Sequence, residues 1–188
     1  MGVQAGGHCT FTLQFAAIAP GLAKCTHMQI ADLLTPERVQ VLPGIKSKKK
    51  LLELMAEHLA RDLGVNAREI YESIYEREQQ GNTSLGNGVA IPHGKLQDAP
   101  DDMPLTGVLV KLQQPLDFNA PDQSEVDIVL AMVVPASTCC DQHQQDLQQL
   151  AEQLRNPNLQ QRIRQIDNAP ALYDLLAAWA PEDQQDNP

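Results

Sequence analysis

Aromatic residues are scarce, with three Phe, three Tyr and one Trp making up 4% of the 188 positions. Leu, Ile, Val and Ala must therefore fill the core, and a hydrophobic content of 43% is enough for a packed domain. That content excludes disorder throughout. Positive charge is also in short supply: 14 Lys and Arg face 24 Asp and Glu, for a net charge of -10. Such a surface repels a phosphate-rich polymer unless a basic patch offsets it. The only basic run, Lys46 to Lys50, is expected to solvate the start of a helix, so nucleic acid is not a partner on this reading. No apolar stretch is long enough to span a bilayer. Phe11 to Ala23 is apolar, but no Lys or Arg precedes it as a secretory leader requires, and a cytoplasmic protein is expected. The four cysteines, Cys9, Cys25, Cys139 and Cys140, make no disulfide framework. Cys139, Cys140 and His143 lack zinc-site spacing and a second ligand cluster, so neither metal nor cofactor is expected.

What is present alternates between two periods. Arg38 to Leu42 reads as a short strand ended by Pro43-Gly44. Ser47 then caps a helix with the stripe Leu51, Leu54, Met55, His58 and Leu59, closing near Gly64. A second helix carries Ile70, Tyr71, Ile74 and Tyr75 on one face and stops at Gly81. Strands are expected at Val89 to Ile91, Leu105 to Leu112 and Val126 to Val134. The last is almost wholly apolar and suits the centre of a sheet buried on both faces. Helices follow at Gln142 to Leu154 (stripe Leu147, Leu150, Ala151, Leu154), Asn158 to Ile166 and Pro170 to Ala180. The fold class is α/β: a single domain over 28–180 with a mixed β-sheet flanked by helices on both faces. Residues 1–27 read as an extension without a core, either a flexible tail or the product of too early a start codon. Residues 181–188 read as a frayed end.

The chemistry gathers around two histidines. His93 follows the strand Val89 to Ile91, with Pro92 shaping the exit and Gly94 permitting close approach. His143 follows the buried strand by a short loop, and both are expected beyond the carboxyl ends of strands, where α/β sites collect. Asp141 and Gln144 form a capping-box pattern around His143, at a helix start suited to an anion. The loop Gly81 to Gly88 offers backbone amides to that anion. Arg77, just before it, supplies a guanidinium for phosphate oxygens. Together these suit a nucleophilic phosphoryl transfer: a neutral imidazole attacks while Arg77 and His143 stabilise the oxygens. One ring nitrogen must stay free while a hydrogen bond fixes the other. Taken singly, each element has a structural reading, because histidines after strands, surface arginines and Gly-Asn turns occur in proteins of every kind.

The string from Arg77 through Gln80, Gly81-Asn-Thr-Ser-Leu-Gly-Asn-Gly-Val-Ala-Ile-Pro-His93-Gly-Lys95 closely resembles the active-site signature of the fructose/mannitol class of enzyme IIA domains. It is most similar to the nitrogen-regulatory branch. The resemblance spans residues 28–180, and Val134-Pro135-Ala136 with the helix at His143 match a later landmark. It implies that His93 takes a phosphoryl group, as tele-phosphohistidine, from a histidine phosphocarrier protein. It further implies that Arg77 stabilises phosphohistidine and that His143 is the second active-site histidine. Two positions depart from the pattern: Ser84 where glycine is common, and Gln145 where relatives carry another histidine. The regulatory branch implies partners controlled by phosphorylation state, such as potassium transport components or sensor kinases. Two alternatives remain: a sugar-specific IIA component that feeds a separate IIB domain, and a binding module with a silent histidine.

Overall fold

The computed structural model describes residues 28–179, so the expectations for 1–27 and 181–188 fall outside the described residues. The first elements are two 3-10 turns, Ile30–Leu33 and Pro36–Arg38, which take Arg38 out of the expected first strand. They lead into β1 (Val39–Leu42). Helix α1 (Lys48–Leu63) opens on the Ser47 hydroxyl, which accepts from the Lys50 amide, and closes on Gly64 in the left-handed conformation. Its buried stripe is Leu51, Leu52, Met55, Ala56 and Leu59, so Leu52 and Ala56 take the places expected for Leu54 and His58. Helix α2 (Ala67–Gln80) starts on the Asn66 side chain and ends at Gly81. Its buried line runs Ile70, Ile74, Glu78, while Tyr75 is exposed.

Five strands follow before the chain becomes helical again. A hairpin pairs β2 (Ser84–Gly86) antiparallel with β3 (Val89–Ala90). After Ile91 and Pro92 the chain resumes as β4 (His93–Leu96). Strands β5 (Thr106–Leu116) and β6 (Val126–Pro135) form the antiparallel centre and are longer than their apolar runs suggested. Helices α3 (Cys140–Arg155), α4 (Pro157–Gln165) and α5 (Ala169–Ala178) complete the described chain. Asn156 caps α4 and Asn168 caps α5, each by accepting from backbone amides.

The sheet order is β1-β5-β6-β3-β2, with β4 also paired to β6. Strand β6 is thus central. One side meets β5 antiparallel, and the other meets β3 and then β4, both parallel and end to end. Alternate residues of β5 and β6 feed two apolar layers. Leu109, Ile128, Leu130 and Met132 pack with α3, α4 and α5, whereas Val108, Val110, Val129, Ala131 and Val133 pack with α1 and α2. A mixed sheet with helices on both faces is therefore what the chain forms. Lys111 is the exception in this apolar centre. Its ammonium leaves the sheet to meet the carbonyls of Arg164 (2.7 Å) and Ile166 (2.6 Å) and the Asp167 carboxylate (2.9 Å). All three of its donors are used at the carboxyl end of α4, where cationic charge is favourable.

Candidate phosphoryl-transfer site

The interruption between β3 and β4 makes the site. His93 is the first residue of β4, opposite Met132 in the register with β6, which runs on to Pro135. It therefore lies beyond the carboxyl end of β3, as expected, but beside β6 rather than beyond the end of the sheet, and the expectation is corrected in that respect. Pro92 turns its carbonyl to the Met132 amide (3.0 Å), which keeps the interrupted edge attached to β6. Gly94 lets α2 come close: a Cβ there would lie 2.9 Å from the Ile74 nitrogen. Ser73 on the same helix donates to the Lys95 carbonyl at 2.8 Å.

The His93 ring is buried, and its Nδ1 lies 2.9 Å from the Ile91 carbonyl oxygen. A carbonyl can only accept, so Nδ1 carries the proton and the Nε2 lone pair remains. Among the described residues Nε2 has no hydrogen-bond partner. Burial pushes the His93 pKa down, the nearby Arg77 guanidinium adds to this, and the Ile91 hydrogen bond and Glu78 oppose it. The ring is neutral near pH 7.

His143 approaches edge-on, with ring centroids 5.5 Å apart and planes at 61°. Its pKa is lowered to about 4, first by burial, then by His93 and Lys95, against an opposing pull from Asp146. Its Nδ1 is buried and has no hydrogen-bond partner among the described residues. Helix α3 begins differently from expectation. Cys139 is the N-cap and makes no side-chain capping bond, while Asp141 lies inside the first turn, so the capping box does not form. The His143 amide is already bonded to the Cys139 carbonyl (3.0 Å). Any free amides there belong to the residues before it.

Arg77 stands at the end of α2 and donates to the Gly81 carbonyl at 3.1 Å. Arg77 and His93 line two adjoining clefts. One, of about 560 Å³, is continued by Asn82 to Leu85 and by Gln144, Gln148 and Arg155 of α3. The other, of about 330 Å³, is continued by Ser73, Lys95 and His143. The three residues singled out from the sequence therefore converge. The glycine loop does so only in part. Its Gly86-Asn87-Gly88 turn, all at positive φ, points instead to Asp122, which accepts from the Asn87 amide (2.8 Å), and to Arg164. Ser84 is absorbed by the hairpin: its hydroxyl donates to the Val89 carbonyl and accepts from the Gly86 amide. Gln145 is exposed on α3.

Two residues at the site were not anticipated. Lys95 follows His93 by two, the spacing that returns a strand to the same face. Its ammonium bonds the Thr138 carbonyl (3.2 Å) and lies 3.8 Å from the Cys140 sulfur. Glu78 follows Ile74 by four, the spacing of the buried line of α2, and that line was the available signal. No described helix is long and apolar enough to cross a membrane.

Residues 32–179 match the family described as "Phosphoenolpyruvate-dependent sugar phosphotransferase system, EIIA 2". The chain is 34% identical over 149 residues to a nitrogen regulatory protein of Klebsiella oxytoca, an alignment spanning 79% of this chain and 90% of that one. It is 36% identical over 151 residues to a nitrogen regulatory protein of Pseudomonas aeruginosa, over 79% and 95% of the two chains. The crystal structure of nitrogen regulatory protein IIA-Ntr from Neisseria meningitidis superposes with a TM-score of 0.69 at 28% identity, covering 78% of this chain and 98% of that one. A match over most of the described residues and relatives matched nearly end to end identify the chain as a member of the EIIA type 2 family of the phosphoenolpyruvate-dependent phosphotransferase system.

Proposed function

We propose that the chain carries a phosphoryl group on Nε2 of His93, taken from a histidine phosphocarrier protein, and controls cytoplasmic partners by its phosphorylation state. The carrying observation is the Nδ1 contact with the Ile91 carbonyl, which leaves the other nitrogen as the nucleophile. The Nε2 lone pair attacks phosphorus of the donor phosphohistidine. The donor's P–N bond breaks, and its electron pair returns to the donor ring. His93 becomes a phosphorylated imidazolium and keeps its Nδ1–H bond to Ile91. Arg77, the charged group flanking both clefts, supplies a fixed cation for the oxygens in transit. His143, neutral at pH 7, avoids burying an unpaired N–H when its proton sits on Nε2, and that N–H is then available to a phosphoryl oxygen.

The regulatory reading is supported by relatives named nitrogen regulatory proteins that are matched over 90% or more of their length. Potassium transport components and sensor kinases are the partner classes to test first. The test is labelling by phosphoenolpyruvate with the general phosphotransferase proteins. Wild-type chain takes up acid-labile phosphate and His93→Ala takes up none. Arg77→Ala and His143→Ala fold normally and transfer about a hundredfold more slowly, the usual cost of one preorganised donor. Full labelling of His93→Ala rejects the proposal.

A further inference from the structure

A buried carboxylate stands one residue after Arg77 with no part in the chemistry above. The Glu78 side chain is 3% exposed and receives the Lys48 ammonium on Oε1 at 2.5 Å. Its Oε2 receives the hydroxyl of Thr83, itself buried. The Thr83 carbonyl in turn receives the Ile91 amide at 3.0 Å, and the Ile91 carbonyl is the acceptor for Nδ1 of His93. Four links therefore run from Lys48 on α1 to the imidazole. The neighbouring Asn82 donates to the Phe118 carbonyl (2.8 Å), and the Lys48 ammonium lies 4.7 Å over the Phe118 ring. The segment before β2 is thus held from two sides.

A buried ion pair adds little net stability over apolar residues of the same volume. What this one does is specify position. It fixes Thr83, Thr83 fixes the amide face of the Ile91 residue, and the carbonyl face of the same residue selects the His93 tautomer. We infer that Glu78 is a positioning residue for His93, acting through Thr83 and the backbone of Ile91 to hold the imidazole with Nε2 free. The inference rests on the phosphoryl-acceptor reading for its purpose, yet the geometry can be tested without any transfer. Charged and titratable groups bearing on His93 are Arg77 and Glu78 from α2 and His143 from α3.

The test follows the His93 ring nitrogens by ¹⁵N NMR in the full chain and, separately, the rate of phosphoryl uptake. Wild type shows a single tautomer protonated on Nδ1. Thr83→Val removes the hydroxyl at nearly constant shape. It gives a mixture of tautomers and about tenfold slower uptake, because small misplacements of a reacting group are costly. Thr83→Ser, which keeps the hydroxyl, behaves as wild type in both readouts. Glu78→Gln gives the same mixture and also lowers the His93 pKa, since the carboxylate opposes Arg77 there. If Glu78→Gln does not fold, Thr83→Val decides alone. Wild-type ring signals in a folded Thr83→Val overturn the inference, whatever the uptake rate. If Thr83→Val disturbs the tautomer while wild type takes up no phosphate on His93, positioning stands and the acceptor reading falls.

Discussion

At His93 and His143, two imidazoles of one composition stand in different surroundings. His93 has a carbonyl on one nitrogen and, among the described residues, no partner on the other, whereas His143 is held neutral by burial beside His93, Lys95 and Arg77. The sign of the pH effect follows. The folded chain keeps His143 unprotonated down to about 4, while the unfolded chain protonates it near its ordinary 6.5. Between those values the unfolded state binds more protons, so stability is greatest above 6.5 and falls as pH drops toward 4. His93 contributes in the same direction. Denaturant midpoints measured from pH 8 to 4 are expected to decline over this window. In His143→Gln the decline is shallower; an identical slope would mean that His143 titrates normally.

Among the elements, the contact of α2 with β4 is the most exacting. It depends on a glycine whose importance is packing, since its Cβ would meet backbone atoms of Ser73 and Ile74 and no flexible side chain could yield alone. Gly94→Ala is expected to cost about 1–3 kcal/mol, the range for overpacking a close contact. Because α2 carries Arg77 and β4 begins at His93, the same displacement should also slow phosphoryl uptake. Urea titration and labelling of one preparation check both effects. Wild-type stability would show that α2 can move away freely. Helix α3 presents the opposite case: its N-cap is Cys139 rather than the Asp141 expected from the capping pattern, because the turn after β6 delivers the chain two residues earlier.

For the whole molecule, charge dominates. Phosphorylation would add roughly another -1.5 to -2, the charge of a phosphomonoester near neutral pH, to a chain of net charge -10. A partner docking over His93 by apolar contact must desolvate that charge, and is expected to bind phosphorylated chain and His93→Asp more weakly than unmodified chain. A donor delivering a phosphoryl group to His93 would reach the same face, so donor and partner are expected to compete. Titration calorimetry with all three forms measures this. Equal affinities throughout would reject the switch and favour simple relay to a IIB domain.

Much of this was readable from residues in order. The periods of 3.6 and 2 placed the helices and the central strands, since burying an apolar face demands those spacings. Ser47 and Gly64 marked the ends of α1, and Arg77, His93 and His143 were singled out together. Family identity followed from a short contiguous string. What needed the tertiary structure were contacts between distant segments. The rotation of α1 that buries Leu52 and Ala56, the aim of the Gly86 to Gly88 turn toward Asp122 and Arg164, and the reach of Lys111 to the end of α4 are of this kind. So is the line from Lys48 through Glu78 and Thr83 to His93. Spacing along a chain reports which residues share a face. Which carboxylate is left to satisfy which hydroxyl depends on how the faces meet, and that is decided only when α1, α2 and the sheet edge close on one another.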